Sequence, residues 1–206
     1  TCGYPLMTRL PAVQTVGCFH YSAPGCEGRN YRSLLVVREA ESRQTLADFR
    51  GRRVACNSPD SQSGYNVLLK MVAPLSRDGR FFSAVAFSGS HRQSLRELQQ
   101  GTADIAAIDC VSWALLQRHQ PEALAGLAVI AHSPLAPGLP LITSATTSAA
   151  TLGLLREALQ QLVSDERYRP LCEALFICGY SDMRRADYQP LLAWRDEAAA
   201  RGVVRL

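Results

Sequence analysis

Short apolar runs recur along the middle of the chain, each followed by a polar break and then by a segment of helical period. Tyr31–Val37, Arg53–Cys56, Phe82–Phe87, Ala103–Ile108 and Leu127–Ala131 have the length and flanking turn residues of buried strands. Between them, Val67–Val72, residues 91–100 and Val111–His119 read as helices; Leu95 and Leu98 point inward, Gly101 stops the second, and Pro121 lies beyond the third. Upstream, Thr15–Tyr21 predicts a strand, and residues 22–30 predict a loop from their Pro, Gly and Asn content. Gly3 and Pro5 bracket Tyr4 in what reads as an extended turn, and Thr45–Gly51 as one helical turn. Downstream, Leu141–Thr143 predicts a short strand. Leu152, Leu155, Leu159 and Leu162 make one face of a helix, a second helix turns Leu171 and Leu175 inward, and a last one spans about 188–201.

Strand–helix alternation argues for an α/β fold with a mostly parallel sheet and helices on both faces. Breaks near Val37 and Ile130 predict two lobes. Residues 1–37 and 130–206 form the first and residues 38–129 the second, joined by two crossing segments. In parallel sheets ligands bind beyond the carboxyl ends of the strands. Three polar groups fall at such ends and are predicted to converge: the Ser61–Ser63 loop, the Ser88–His91 loop, and Asp109.

The first of these is the richest. Asn57–Asn66 lies between a strand and a helix, and the hydroxyls of Ser61 and Ser63 can cap that helix. The free N–H groups of the first turn then face outward, and the helix dipole favours an anion there. The residues also fit a plain turn and cap. Ser90 with Gln93 fits a capping box, which places His91 at the start of its helix, as a donor to an anion or as a solvent-facing residue. Asp109 can meet an amine, orient His91, or cap the helix after it.

Composition narrows the function classes. A net charge of +4 and a pI near 8.8, with basic residues that are almost all arginines and form no extended run, argue against a nucleic-acid footprint. No apolar run reaches the ~20 residues of a membrane helix. The seven cysteines lack CxxC spacing, so a structural zinc site is not expected, and no motif of the chain calls for a cofactor. Cys18 and Cys26 can pair across Pro24–Gly25 in an oxidising compartment and remain thiols in a reducing one.

Four segments in one order resemble a known family: Leu46–Ala55, Pro59–Gly64, Phe87–His91 and Gly101–Asp109. Together they are similar to the phosphate/phosphonate-binding proteins of ABC importers, within the type 2 periplasmic binding fold. The resemblance runs from about Tyr4 to Thr143. It implies a periplasmic two-lobed clamp that closes on a small anion or zwitterion and delivers it to a transporter permease. It places the oxyanion on Ser61, Gln62, Ser63 and Gly64, with Ser90 and His91 beside it. Asp109 would take a positive end of the ligand, and Tyr4 would close from the other lobe. Two departures stand out. The strand–helix–strand that opens the family precedes none of these residues, and Gln62 replaces the usual Thr. The alternative is a cytoplasmic enzyme or ligand sensor on the same fold, for which Cys110, His91 and Asp109 supply the ingredients of a thiol nucleophile. Against it, Asp109 and Cys110 are adjacent and would face opposite ways on a strand.

Overall fold

The apolar runs of the middle region line up as one sheet. In the computed structural model, which describes residues Thr1 to Leu206, the chain opens with α1 (Gly3–Thr8), β1 (Val13–Tyr21) and β2 (Asn30–Tyr31). The middle holds β3 (Ser33–Arg38), β4 (Arg53–Cys56), α2 (Val67–Val72), β5 (Ala84–Phe87), α3 (His91–Gln99), β6 (Ile105–Asp109), α4 (Cys110–His119) and β7 (Leu127–His132). The chain ends with β8 (Ala136–Pro137), β9 (Pro140–Ser144), α5 (Ala149–Ser164), α6 (Arg169–Ala174), β10 (Ile177–Ser181) and α7 (Pro190–Ala200).

Five strands in the order β5-β4-β6-β3-β7 form the larger sheet. β4 runs parallel to β5 and β6, as the crossover helices α2 and α3 require, while β3 is antiparallel to β6 and β7. β3 and β6 carry almost only buried residues, so the main core lies here. Asp104, at the foot of β6, ties three strands together. Its carboxylate accepts from the amide and guanidinium of Arg53 at 2.9–3.0 Å and from Arg38 at 3.0 Å.

The second sheet, β10-β1-β9, departs from the mostly parallel arrangement expected: β1 is antiparallel to both neighbours. The β9–α5–α6–β10 crossover does return its two strands in one direction, but β1 runs between them the other way. The breaks expected near residues 37 and 130 fall within β3 and β7. β3 and β7 hydrogen-bond within the five-stranded sheet, and the chain leaves that sheet through the ribbon β2-β8, where Asn30 faces Pro137 and Tyr31 faces Ala136. We take the lobes to divide there.

Three local expectations also change. Residues 3–8 are helical rather than extended, because Pro5 falls in the first turn, where no N–H partner is lost. α5 keeps no fully buried residue, and Leu171 and Leu175 are 56% and 39% exposed rather than inward. In α6 it is Cys172 that is buried. Finally, both chain ends pack back on the larger lobe. α1 and α7 cover the start of α2, and the Leu191 carbonyl on α7 accepts from Asn66 Nδ2 at 3.0 Å.

Candidate functional site

The strand ends of β4, β5 and β6 do converge. After β4 the chain turns at Ser61, whose extended backbone and side chain cap the next helix; its Oγ accepts from the Gly64 N–H at 2.9 Å. The first turn is a π-helical segment, Gln62–Asn66, that runs directly into α2. Ser63 Oγ lies 2.8 Å from His91 Nε2, which lies 3.4 Å from Asp109 Oδ2. One residue from each of the three loops thus forms a chain across the sheet edge. Only 13% of the His91 side chain and 8% of that of Asp109 are exposed.

Each group has a defined electrostatic state or duty. Burial pushes the His91 pKa below its ordinary value, against the opposing pull of the Asp109 carboxylate, so the imidazole is neutral at pH 7. Asp109 is also the cap of α4, its Oδ1 accepting from the Ser112 N–H at 2.7 Å. Its other oxygen, Oδ2, is the one that lies near His91.

Gly64 is required by close approach. A Cβ there would sit 1.9 Å from Asn57 Oδ1. Gln62 is buried, with Oε1 accepting from Asn66 Nδ2 at 2.8 Å and Nε2 buried without a partner. Ser90 caps α3, accepting from the Gln93 N–H at 3.1 Å, but its exposed side chain does not join the cluster. Tyr4 is also apart: its hydroxyl accepts from Arg195 on α7 at 3.5 Å.

Two residues that sequence reasoning passed over belong to this place. The Cys2 side chain lies beside the Gln62–Ser63 backbone, and its burial raises the thiol pKa. The Tyr31 hydroxyl is buried without a well-formed partner beside Ser63, Cys2 and Asp109. Burial is the main reason its pKa stands well above the ordinary phenol value. An unpaired buried donor costs free energy, about 1–3 kcal/mol, so each such group here marks a position where an acceptor is wanted. Cys2 and Ser61 also line an open groove with Thr1, Pro5, Arg9 and Asn57, and Arg9 bridges it to Asp60 at 3.0 Å.

The sulfur of Cys110 turns the other way, to Cys26 Sγ at 3.4 Å, as the adjacent placement of Asp109 and Cys110 predicts. The partner of Cys26 is therefore Cys110 and not Cys18, which is buried and separate. No helix is long and apolar enough to cross a membrane.

Residues 12–188 match the family described as the periplasmic substrate-binding protein of phosphonate ABC transporters. No curated protein matches the sequence. Among solved structures, PhnD1 from Prochlorococcus marinus in complex with methylphosphonate is similar at a TM-score of 0.77 with 13% identity, covering 96% of this chain and 76% of that one. A binding protein component of an ABC phosphonate transporter from Pseudomonas aeruginosa is similar at a TM-score of 0.75 with 21% identity, covering 90% of this chain and 63% of that one. A Xanthomonas citri protein bound to ATP is similar at a TM-score of 0.71 with 17% identity, covering 97% and 76%. At these identities the structures speak to the fold, which is that of a type 2 periplasmic binding protein, and the sequence match speaks to the family. The chain belongs to the periplasmic substrate-binding proteins of phosphonate ABC transporters.

Proposed function

We propose that this chain binds a small oxyanion, a phosphonate or phosphate, at the Ser61–Gly64 cradle and presents it to the permease of an ABC importer in the periplasm. The observation that carries the reading is the set of donors aimed at one spot. The amides of Gln62 and Ser63 open the first helical turn, where they have no intrahelical partner, beside the Cys2 sulfur, and the Tyr31 hydroxyl is buried nearby without a partner. A thiol is a weak acceptor. A ligand oxyanion in its place would turn these contacts into charge-assisted hydrogen bonds, each of about 1.5–3 kcal/mol. Ser63 is held by its 2.8 Å contact with His91, and Asp109 stands behind the imidazole. In this reading Asp109 positions His91, and a ligand amine is not needed for binding.

A role without turnover is supported by the Cys110 sulfur, which faces away from His91, and by the family's transport role. The test is a thermal-shift screen with methylphosphonate, inorganic phosphate and a sulfonate. One of these oxyanions stabilises the parent protein, and the paired change Ser61→Ala with Ser63→Ala removes that stabilisation. An oxyanion that stabilises the double variant as much as the parent contradicts the assignment.

A further inference from the structure

We infer that Cys26 and Cys110 are a disulfide site that staples the first lobe-crossing segment to the strand end carrying Asp109. The two sulfurs stand 3.4 Å apart although the residues are 84 positions apart in sequence. They need to close by only about 1.4 Å to reach the S–S bond length of about 2.0 Å. The approach is built into the backbone. The loop turns at Gly25, whose φ of +96° lies in the left-handed region that favours glycine, and a Cβ there would come within 3.1 Å of Cys110 Cβ. The Cys26 N–H donates to the Ala23 carbonyl at 3.0 Å and fixes the turn. On the other side, Cys110 is the first residue of α4, and its N–H donates to the Arg32 carbonyl at 3.0 Å. Both cysteines are therefore held by main-chain bonds that keep the sulfurs facing.

Access is asymmetric, which sets the order of chemistry. Cys26 is partly exposed and Cys110 is buried. A disulfide-bearing oxidant exchanges first at Cys26. The Cys26 sulfur gives up its proton, bonds to one sulfur of the oxidant, and the other sulfur leaves as a thiol. The Cys110 thiol, at a helix N-terminus that favours its thiolate, then loses its proton and attacks Cys26, releasing the second oxidant thiol. Two protein thiols become one disulfide, and the oxidant disulfide becomes two thiols. Such a bond persists in an oxidising compartment, in keeping with a periplasmic location. It also encloses β3 to β6, the strands that set up the cradle, between its two anchors.

The test is incubation of the reduced, folded protein with oxidised glutathione, followed by alkylation and peptide mapping. The expected product is one Cys26–Cys110 linked peptide, two fewer titratable thiols than the seven of the sequence, and a melting temperature that rises on oxidation and returns on reduction. Cys178→Ser retains the linked peptide, whereas Cys26→Ser, a change at the partly exposed position, abolishes both the peptide and the redox-dependent melting shift. Oxidation that links Cys26 to Cys178, or leaves glutathione on Cys26 with Cys110 still free, overturns the inference.

Discussion

Gly64→Ala is a sensitive probe of how the cradle is built. Gly64 sits in helical backbone, without a left-handed φ, so alanine is conformationally welcome there. In an open helix the change would stabilise by roughly 0.5–1 kcal/mol. Here the new Cβ lands 1.9 Å from Asn57 Oδ1, 3.1 Å from its Cγ and 3.2 Å from Ser61 Oγ. The Asn57 carboxamide must retreat by more than 1 Å, at an overpacking cost of about 1–3 kcal/mol. If the turn shifts instead, the Gly64–Ser61 cap is lost, at about 1 kcal/mol. Either route costs about 1–3 kcal/mol, a fall in Tm of roughly 2–12 °C for a domain of this size. Calorimetry on Gly64→Ala, Asn57→Ala and the double variant closes a mutant cycle. The double variant should recover most of the loss, because it removes the group that the Cβ meets, giving a coupling of about 1–3 kcal/mol. A single variant as stable as the parent, or a double variant no better than the single, refutes the packing argument.

Two further predictions concern charge. The His91 pKa is depressed by burial, so its contribution to stability is complete above the ordinary histidine value and is lost as pH falls through the lowered one. A pH series of melting temperatures should show a loss below about pH 6.5 that is blunted in His91→Gln, and a slope equal to that of the parent would contradict a buried neutral imidazole. The Arg53 guanidinium, helped by Arg38, holds the Asp104 carboxyl below the usual carboxylate range, so that stability is present above that range and disappears on acidification. Asp104→Ala leaves a partly exposed Arg38 without that partner and unties three strands. Denaturant unfolding at pH 7 should show a loss of about 3 kcal/mol, and a loss under about 1 kcal/mol would show that the network is dispensable.

Much of the larger lobe was legible in the sequence because its signals are local. β4, β5 and β6 are apolar runs with a crossover helix after each of the first two, and that alternation alone brings Ser63, His91 and Asp109 to one edge. The Ser61 cap and the Gly101 stop at φ +73° were readable from single residues. What escaped depends on contacts between distant segments. β10 is short and half-buried, with Gly179 interrupting its apolar alternation, so it lacks a strand signature. Leu171 and Leu175 have inward spacing but remain exposed, since periodicity marks a face and does not say what covers it. Cys2 and Tyr31 join the cradle only through tertiary packing. Cys2 stood out as one of seven unassigned thiols, and Tyr31 as the end of a strand. The breaks expected near Val37 and Ile130 fall inside β3 and β7, which pair with each other while β3 also pairs with β6, a link between distant segments that no local signal carries.

The central claim is that the Gln62 and Ser63 amides receive an oxyanion. A titration of methylphosphonate followed by amide proton and nitrogen shifts tests it at those two atoms. The account predicts saturable downfield shifts at Gln62 and Ser63, with His91 responding and Ser90 unaffected, and their loss when Ser61 and Ser63 are both alanine. Saturable binding that leaves the Gln62 and Ser63 amides unmoved would contradict it.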